Sequence, residues 1–380
     1  MDENAMAVGR IARIEWAPLE GQRPRAAGCN SRLGEHGLVV RPSIARVTLD
    51  DGLSGFGWSR ITREQAEALV GRGLSAAYTS GMVLGVVEPW RTIEYPLLDL
   101  AGQRAGLPVY ALVDGTRVDA APCYDTSLYM DDLHLADDGA AAALLADEVR
   151  QGLARGHRHF KIKVGRGAMH MPLEAGTRRD ITVIRAVRET AGPDARLMID
   201  ANNGYNLNLA RRVLAETADV GLYWIEEAFH EDPRLYEALK SWMDEQGIAT
   251  LIADGEGDAS PHLLDYARDG LIDVVQYDVL RPGFSRWLEL GGQLDAWGVR
   301  SAPHHYGEPY GNYACGHLAG SIDGFQMVEW DHADVPALDA SAYAVAEGMV
   351  QLPEAPGFGL ALDGTRYADA VAREGFVVAV

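Results

Sequence analysis

The feature that most restricts this chain is a ladder of short apolar runs that each finish on a charge. His159-Phe-Lys-Ile-Lys-Val-Gly165, Arg196-Leu-Met-Ile-Asp200, Leu222-Tyr-Trp-Ile-Glu226 and Thr250-Leu-Ile-Ala-Asp-Gly-Glu256 come first. Asp273-Val-Val-Gln-Tyr-Asp278, Arg300-Ser-Ala-Pro-His304 and Phe325-Gln-Met-Val-Glu329 continue the series. The terminal groups Asp200, Glu226, Glu256, Asp278, His304 and Glu329 succeed one another at intervals of 22–30 residues, the length of one strand, one helix and two short loops. A charge that closes an apolar run needs a partner or a metal, and a ring of parallel strand ends supplies both. The pattern predicts a closed parallel (β/α) barrel with its site on the face where the strands end. A doubly wound sheet would gather its chemistry at one switch point instead.

At 380 residues the chain is long enough for such a barrel and a second unit. The net charge of -21 argues against sequence-independent binding to nucleic acid or to an anionic membrane, both of which need a basic surface. Cys29, Cys123 and Cys315 are far apart, with no CxxC spacing, which fits a reduced, cytoplasmic setting. No N-terminal apolar h-region and no run of about 18 apolar residues appears, so neither a signal peptide nor a membrane span is expected.

Ahead of the ladder, Gly37-Leu-Val-Val40 and Ile44-Ala-Arg-Val-Thr-Leu49 lead through Asp50-Asp51-Gly52 to Gly55-Phe-Gly-Trp58, a hairpin pattern. The polar stretch from Glu20 to Gly28, which carries Arg23 and Arg25, reads as a loop and a candidate lid. Thr62-Arg-Glu-Gln65 fits a capping box, and helical spacing runs from Tyr95 to the breaker Gly106-Leu-Pro108. Pro122-Cys-Tyr-Asp-Thr-Ser127 starts the first barrel strand, and helices are expected over 140–154, 178–190, 207–217, 233–245, 261–269 and 285–296. The period ends near residue 332. The division that results is an α+β capping domain over 1–117, a barrel over 118–332, and a C-terminal segment over 333–380 that packs back on the cap.

Lys161 and Lys163 are two apart on a strand and share a face. Inside a barrel two ammonium groups would depress each other's pKa, and a lysine neutral near pH 7 is a general base. Asp200, Glu226 and Glu256 form an all-oxygen set suited to Mg²⁺. One such carboxylate alone reads as a helix cap or a solvated charge; three at matching strand ends do not. By alternation Asp254 shares a face with Glu256 and stays open as its replacement, while Glu227 turns away from Glu226. Asp278, one strand before His304, is placed to hold an imidazole nitrogen and raise its basicity. His157-Arg-His159 has the HxH spacing of a hydrolase with a histidine-bound transition metal. It precedes Lys163 by four residues, which at roughly 3.3 Å per residue puts it on the order of 13 Å below the strand ends, so it is expected at a strand start.

In order, Lys161-Ile-Lys163, Asp200-Ala-Asn202, Trp224-Ile-Glu-Glu227, Gly255-Glu256, Gln276-Tyr-Asp278, Pro303-His304 and Glu329 resemble the enolase superfamily and, within it, the mandelate racemase subgroup. Asp51-Gly-Leu-Ser-Gly-Phe-Gly57 and Ala101-Gly-Gln-Arg-Ala-Gly-Leu-Pro-Val-Tyr110 extend the resemblance over nearly the whole chain. It implies an α/β fold: a modified (β/α)7β TIM-type barrel with an N-terminal α+β capping domain completed by the C-terminal segment. It also implies Mg²⁺ on Asp200, Glu226 and Glu256, with Lys163 and the His304/Asp278 dyad as acid/base groups on opposite faces of the substrate. Lys161 and Glu329 would contact the substrate carboxylate with Asn202 beside them, and the loop over 20–36 would close the site.

The activity implied is a Mg²⁺-dependent dehydration of a sugar acid, through an enediolate, to a 2-keto-3-deoxy acid. Arg23, Arg25, Tyr129 and His305 would offer polar contacts to its hydroxyls. A racemase or epimerase of a 2-hydroxy acid would use the same residues, and a barrel kept as a binding protein is the third reading. Ala228 and Tyr277 stand where these proteins usually carry proline, which leaves the metal set intact and the substrate open. The partner expected is a small carboxylate rather than nucleic acid or membrane, and the assembly a homo-oligomer.

Overall fold

The structure is a computed structural model that describes residues 8–78, 85–113 and 118–380. The boundary expected near residue 117 lies outside the described residues.

The N-terminal part is an antiparallel sheet with helices on one side. Strands β1 (Ile11–Pro18), β4 (Ser43–Leu49) and β5 (Ser54–Trp58) pair in the order β1-β4-β5. The Asp50-Asp51-Gly52 turn joins the last two, with Thr48 opposite Ser54. Helix α1 (Arg63–Leu69) opens on the expected capping box: the Thr62 side chain accepts from the Gln65 N–H, and the Gln65 side chain accepts from the Thr62 N–H. Helix α2 (Glu94–Ala105) stops where Gly106 takes a φ of 65°, a conformation that glycine adopts without a side-chain clash, and the single turn α3 (Val109–Leu112) follows.

The stretch expected as a loop before this meander is a strand. β2 (Gly21–Ala27) pairs with β3 (Gly37–Val40) in a separate two-stranded ribbon. Its inward positions include Arg23, which is buried, so the apolar alternation that marks a half-buried strand is missing. The arginine stands in for it because it finds a carboxylate.

The barrel consists of eight parallel strands: β6 (Ala120–Leu128), β7 (Phe160–Lys163), β8 (Leu197–Asp200), β9 (Trp224–Glu226), β10 (Leu251–Asp254), β11 (Val274–Val275), β12 (Arg300–Ser301) and β13 (Val328–Trp330). They pair in sequence order, and β13 returns to β6. A parallel bridge between Ser301 and Phe325 closes the remaining gap. Seven strands are each followed by a helix: α4 (Asp138–Ala154), α6 (Leu173–Ala191, after the single turn α5, Arg166–Met169), α7 (Leu207–Glu216), α8 (Pro233–Gln246), α9 (Leu263–Arg268), α10 (Phe284–Trp297) and α11 (Tyr310–Leu318). Tyr124, Met198, Trp224, Ala253, Val274, Ala302 and Met327 form a separate apolar cluster inside the ring, so the cylinder is filled below its mouth.

The C-terminal segment serves both parts. β14 (Leu338–Asp339) pairs with β17 (Ala361–Leu362), and the hairpin β15 (Val345–Ala346) and β16 (Met349–Gln351) pairs antiparallel with the start of β6. Helix α12 (Gly364–Glu374) then leads into β18 (Phe376–Ala379), which adds to β1 as the fourth strand of the N-terminal sheet. Among the described residues no helix is long and apolar enough to cross a membrane.

Candidate active site

Register places the charged strand ends at one level. Lys161 is opposite Met198 and Lys163 opposite Asp200 across β7 and β8, and Asp200 is opposite Glu226 across β8 and β9. Because alternate residues face the interior, the inward set that contains Met198 and Trp224 continues upward into Lys163, Asp200 and Glu226. All of these side chains are almost completely buried.

Oxygens of Asp200, Glu226 and Glu256 all lie within 4.8 Å of one another. Lys161 Nζ is 2.7 Å from Glu226 Oε1, 3.0 Å from Glu329 Oε1 and 3.5 Å from Asp200 Oδ2. Lys163 donates to Asp200 Oδ2, and its ammonium sits 5.3 Å from the Tyr129 ring centre. On the far side, His304 Nδ1 is 2.7 Å from Asp278 Oδ1, while Nε2 is 3.0 Å from Glu256 Oε2 and 3.7 Å from Glu329 Oε2. Lys163 and His304 therefore approach the carboxylate cluster from different strands, β7 and the end of β12.

The electrostatics differ from the simple expectation for paired lysines. Burial and the neighbouring Lys161 both lower the pKa of Lys163, yet Asp200, Glu256 and Glu226 hold it above the ordinary value. Lys161 is likewise held up against burial by Glu226 and Glu329. Burial would depress His304 too, but Glu256, Glu329 and Asp278 raise it to about 10. Burial pushes Glu226 up to about 7. Against burial, Asp200 and Glu329 are held below the usual carboxylate range by the lysines and, for Glu329, by His304 as well, so within the cluster it is Glu226 whose ionisation a bound cation would favour.

The fit to a hard cation rests on this structure's own atoms. Three carboxylates converge with no histidine or cysteine among them, and the buried side-chain oxygens of Asn202 and Gln276 have no hydrogen-bond partner among the described residues. An oxygen-rich, partly unsatisfied pocket of this kind suits Mg²⁺.

Alternation fails at two positions, and the backbone gives the reason. Gly255 has a φ of 132°, which breaks the strand between Asp254 and Glu256. Asp254 follows the inward Ala253 and so faces outward, accepting from Tyr236 Oη (2.6 Å) and from the Gly255 N–H (2.7 Å), while the break at Gly255 turns Glu256 into the cluster; period-two counting, which puts the two on one face, does not hold here. Glu227 has a φ of 44°. It curls back to accept from Asn202 Nδ2 (2.9 Å) and Asn203 Nδ2 (2.6 Å) instead of facing away. Burial, with Glu256 next to it, raises Glu227 to about 10. Asn202 Nδ2 also donates to Glu256 Oε1 (3.1 Å), so it links the two acids.

The remaining expected residues divide. Glu329 is inside the cluster, accepting from Thr126 Oγ1 (2.8 Å) and from the N–H groups of His305 (2.9 Å) and Tyr306 (3.1 Å). Tyr129 stacks on Tyr306 with ring centres 4.8 Å apart. His305 contributes that backbone N–H, while its imidazole packs against Gly311, where an added Cβ would come 2.2 Å from the ring. Arg25 is not in the site: it donates to Ser127 O (2.6 Å) and to Glu148 (3.1 Å) on α4, outside the barrel. Arg23 is the arginine that faces the mouth, in a two-pronged pair with Asp331 (3.2 Å each), its guanidinium 4.7 Å from the Tyr306 ring centre. The loop after β2 lies on the cluster, with Ser31 Oγ donating to Ala201 O (2.5 Å). At Gly204 a Cβ would come 2.6 Å from Ser31, so the close approach requires glycine. His157 and His159 lie at the strand start, as counting along β7 predicts: His157 meets His332 (2.7 Å) and His159 accepts from the Arg196 N–H (3.0 Å).

Gln276 and Trp224 stood in the quoted motifs but had no role assigned from sequence. Gln276 Nε2 (2.9 Å) and Trp224 Nε1 (3.0 Å) both donate to Glu226 Oε2. The alternation of Val274, Gln276 and Asp278 carried the signal for the first.

Residues 144–366 match the family model described as Enolase C-terminal domain-like. A mutant of galacturonate dehydratase from Geobacillus sp., complexed with Mg, has a TM-score of 0.95 at 50% identity, covering 98% of this chain and 97% of that one. Galacturonate dehydratase from Geobacillus sp. complexed with D-galacturonate and 5-keto-4-deoxy-D-galacturonate has a TM-score of 0.94 at 50% identity, covering 98% and 99%. D-galactarolactone cycloisomerase from Agrobacterium fabrum is 28% identical over 307 residues, 77% of this chain and 73% of its own length. The chain belongs to the enolase superfamily.

Proposed function

We propose that this chain is a Mg²⁺-dependent hydro-lyase that removes water from a sugar acid, with a hexuronate such as D-galacturonate as substrate. The observation that supports this reading is that Lys163 and the Asp278-supported His304, the two groups proposed to transfer protons, meet one carboxylate cluster from different strands. The 50% identity to a galacturonate dehydratase over almost the full length supports the substrate class.

Asp200, Glu226 and Glu256 hold Mg²⁺, which when bound neutralises their charge and stabilises the negative charge that develops on the substrate carboxylate. Lys161, between Glu226 and Glu329, adds a fixed positive charge at the same place. Once the charge of Asp200, Glu226 and Glu256 is neutralised, burial and Lys161 are left to lower Lys163, and as the free amine it takes the proton from the carbon next to the carboxylate. Its electron pair forms the carbon–carbon double bond as the hydroxyl on the next carbon departs. His304 donates the proton that makes that hydroxyl a water molecule, and Asp278 keeps the imidazole oriented. The enol that remains takes a proton on carbon and becomes the 2-keto-3-deoxy acid, which for D-galacturonate is the 5-keto-4-deoxy compound when carbons are counted from the aldehyde.

Three free cysteines support a reduced, cytoplasmic location, and a homo-oligomer is the assembly inferred. Screening the Mg²⁺-loaded protein against hexuronates, aldonates and aldarates for 2-keto product tests the function. Turnover of a hexuronate is the expected result, and no product from any sugar acid would overturn it. The same protein exchanging the α-proton without loss of water would favour a racemase.

A further inference from the structure

A cavity of about 200 Å³ opens beside the dyad, with Glu256, Asp278 and His304 on one wall and Trp58, Arg60 and Glu308 on the other. The second wall takes no part in the chemistry above, yet it is firmly built. Glu308 closes the turn that begins at His305, its N–H donating to His305 O (3.0 Å). Its carboxylate is met from the N-terminal sheet by Trp58 Nε1 (3.2 Å, to Oε2) and Arg60 Nη2 (3.3 Å, to Oε1). Trp58 meets Tyr95 edge-on at 6.1 Å, and Tyr95 Oη is anchored to Val279 O (2.8 Å). Gly57 lets the sheet come this close: a Cβ there would lie 2.7 Å from Tyr310 Oη.

Charge is graded across this cavity. The Glu308 side chain is 29% exposed, whereas Arg60 and Arg281 at the rim are 55% and 57% exposed. Arg60 is engaged by Glu308, and Arg281 Nε faces Asp278 Oδ2 at 3.9 Å. The rim cations are more strongly screened by solvent than the inner acceptor. Each Glu308 oxygen receives one donor and keeps lone pairs for hydroxyls.

Resting on the dehydratase reading, we propose that Glu308 is a specificity-determining residue. It accepts hydrogen bonds from the hydroxyls of the substrate's far end and so selects sugar acids with an uncharged tail, hexuronates and aldonates, over dianionic aldarates. A second carboxylate placed at that end faces the Glu308 carboxylate without a proton between them, and like-charge juxtaposition is how a site rejects a near-isostere.

The test compares D-galacturonate with galactarate, its dicarboxylate counterpart, in wild type and Glu308→Gln. Each is measured by steady-state kinetics and by calorimetric binding in the presence of Mg²⁺. Wild type is expected to favour galacturonate by about 100-fold in kcat/KM and in affinity. Glu308→Gln is expected to lose about 10- to 100-fold on galacturonate, mostly in KM, with the preference shrinking because galactarate is spared. Should that variant fail to fold, Glu308→Asp keeps the charge and shortens the reach, so galacturonate binding weakens while galactarate stays rejected. Equal treatment of both acids by wild type, or an equal loss on both in the variant, overturns the proposal. Absence of turnover on every sugar acid with the binding preference intact overturns the dehydratase reading and leaves the role of Glu308 standing.

Discussion

Asp278 and His304 are joined twice, by a parallel backbone bridge between neighbouring strands and by the 2.7 Å contact from Asp278 Oδ1 to His304 Nδ1. The pairing leaves only Nε2 free to face the carboxylate cluster, so the barrel's own register sets the direction in which this imidazole gives or takes a proton.

Asp278→Asn removes the charge and keeps the shape. Turnover of D-galacturonate should fall by about 10²- to 10⁴-fold with KM little changed, read in steady-state kinetics. A rate within twofold of wild type would separate Asp278 from the reaction.

Lys163→Ala should abolish most turnover while the circular dichroism spectrum stays native, since among the described residues Lys163 makes an ion pair only with Asp200. Lys161→Met acts differently because Lys161 touches Asp200, Glu226 and Glu329 together. Stripping the cation from a buried group of this kind costs about 3–5 kcal/mol, so the metal-free variant should melt earlier than metal-free wild type. Matching melting temperatures for the two variants would contradict this difference.

These partners show what was legible in the sequence. The barrel, its strand ends and the carboxylate trio were readable because each run is mostly apolar and closes on a charge, at intervals that fit one strand and one helix. Glu227, Asp254 and the strand β2 were not. The first two depend on left-handed backbone at Glu227 and Gly255, which alternation counting takes for extended chain. In β2 the inward Arg23 imitates a solvated loop, and its partner Asp331 lies 308 residues away. Trp58 and Glu308 are also remote in sequence, and only the docking of the N-terminal sheet on the barrel brings them together.

Glu226→Gln tests the metal set. Glu226 belongs to the trio and also receives Lys161, Trp224 and Gln276. The variant should bind Mg²⁺ more weakly by calorimetry. In wild type, Mg²⁺ at 100 times its Kd should add about 2.7 kcal/mol of stability, and chelation should remove both that increment and the activity. A melting temperature indifferent to Mg²⁺ would mean that the native protein does not bind the ion.

His317 provides a pH prediction far from the metal. The Tyr110 N–H donates to Nδ1 (3.0 Å), Nε2 lies 2.9 Å from Tyr343 Oη, and Tyr343 Oη donates to Phe358 O (2.6 Å), so the ring is held neutral. Burial depresses its pKa to about 3. The folded value lies below the unfolded one, so the stability this supplies is complete above about pH 6.5 and is lost as pH falls toward 3, on the order of 5 kcal/mol in all. Urea melts from pH 7 to 4 should show a steeper loss in wild type than in His317→Gln. Parallel curves would remove His317 from the acid sensitivity.

The most direct measurement follows D-galacturonate by proton NMR in D₂O with the Mg²⁺-loaded protein. Loss of the substrate's C5 proton signal is expected in step with appearance of the 5-keto-4-deoxy product, carrying deuterium at C4. Unchanged substrate, or a C5 signal lost to exchange with no keto acid formed, would contradict the dehydratase reading.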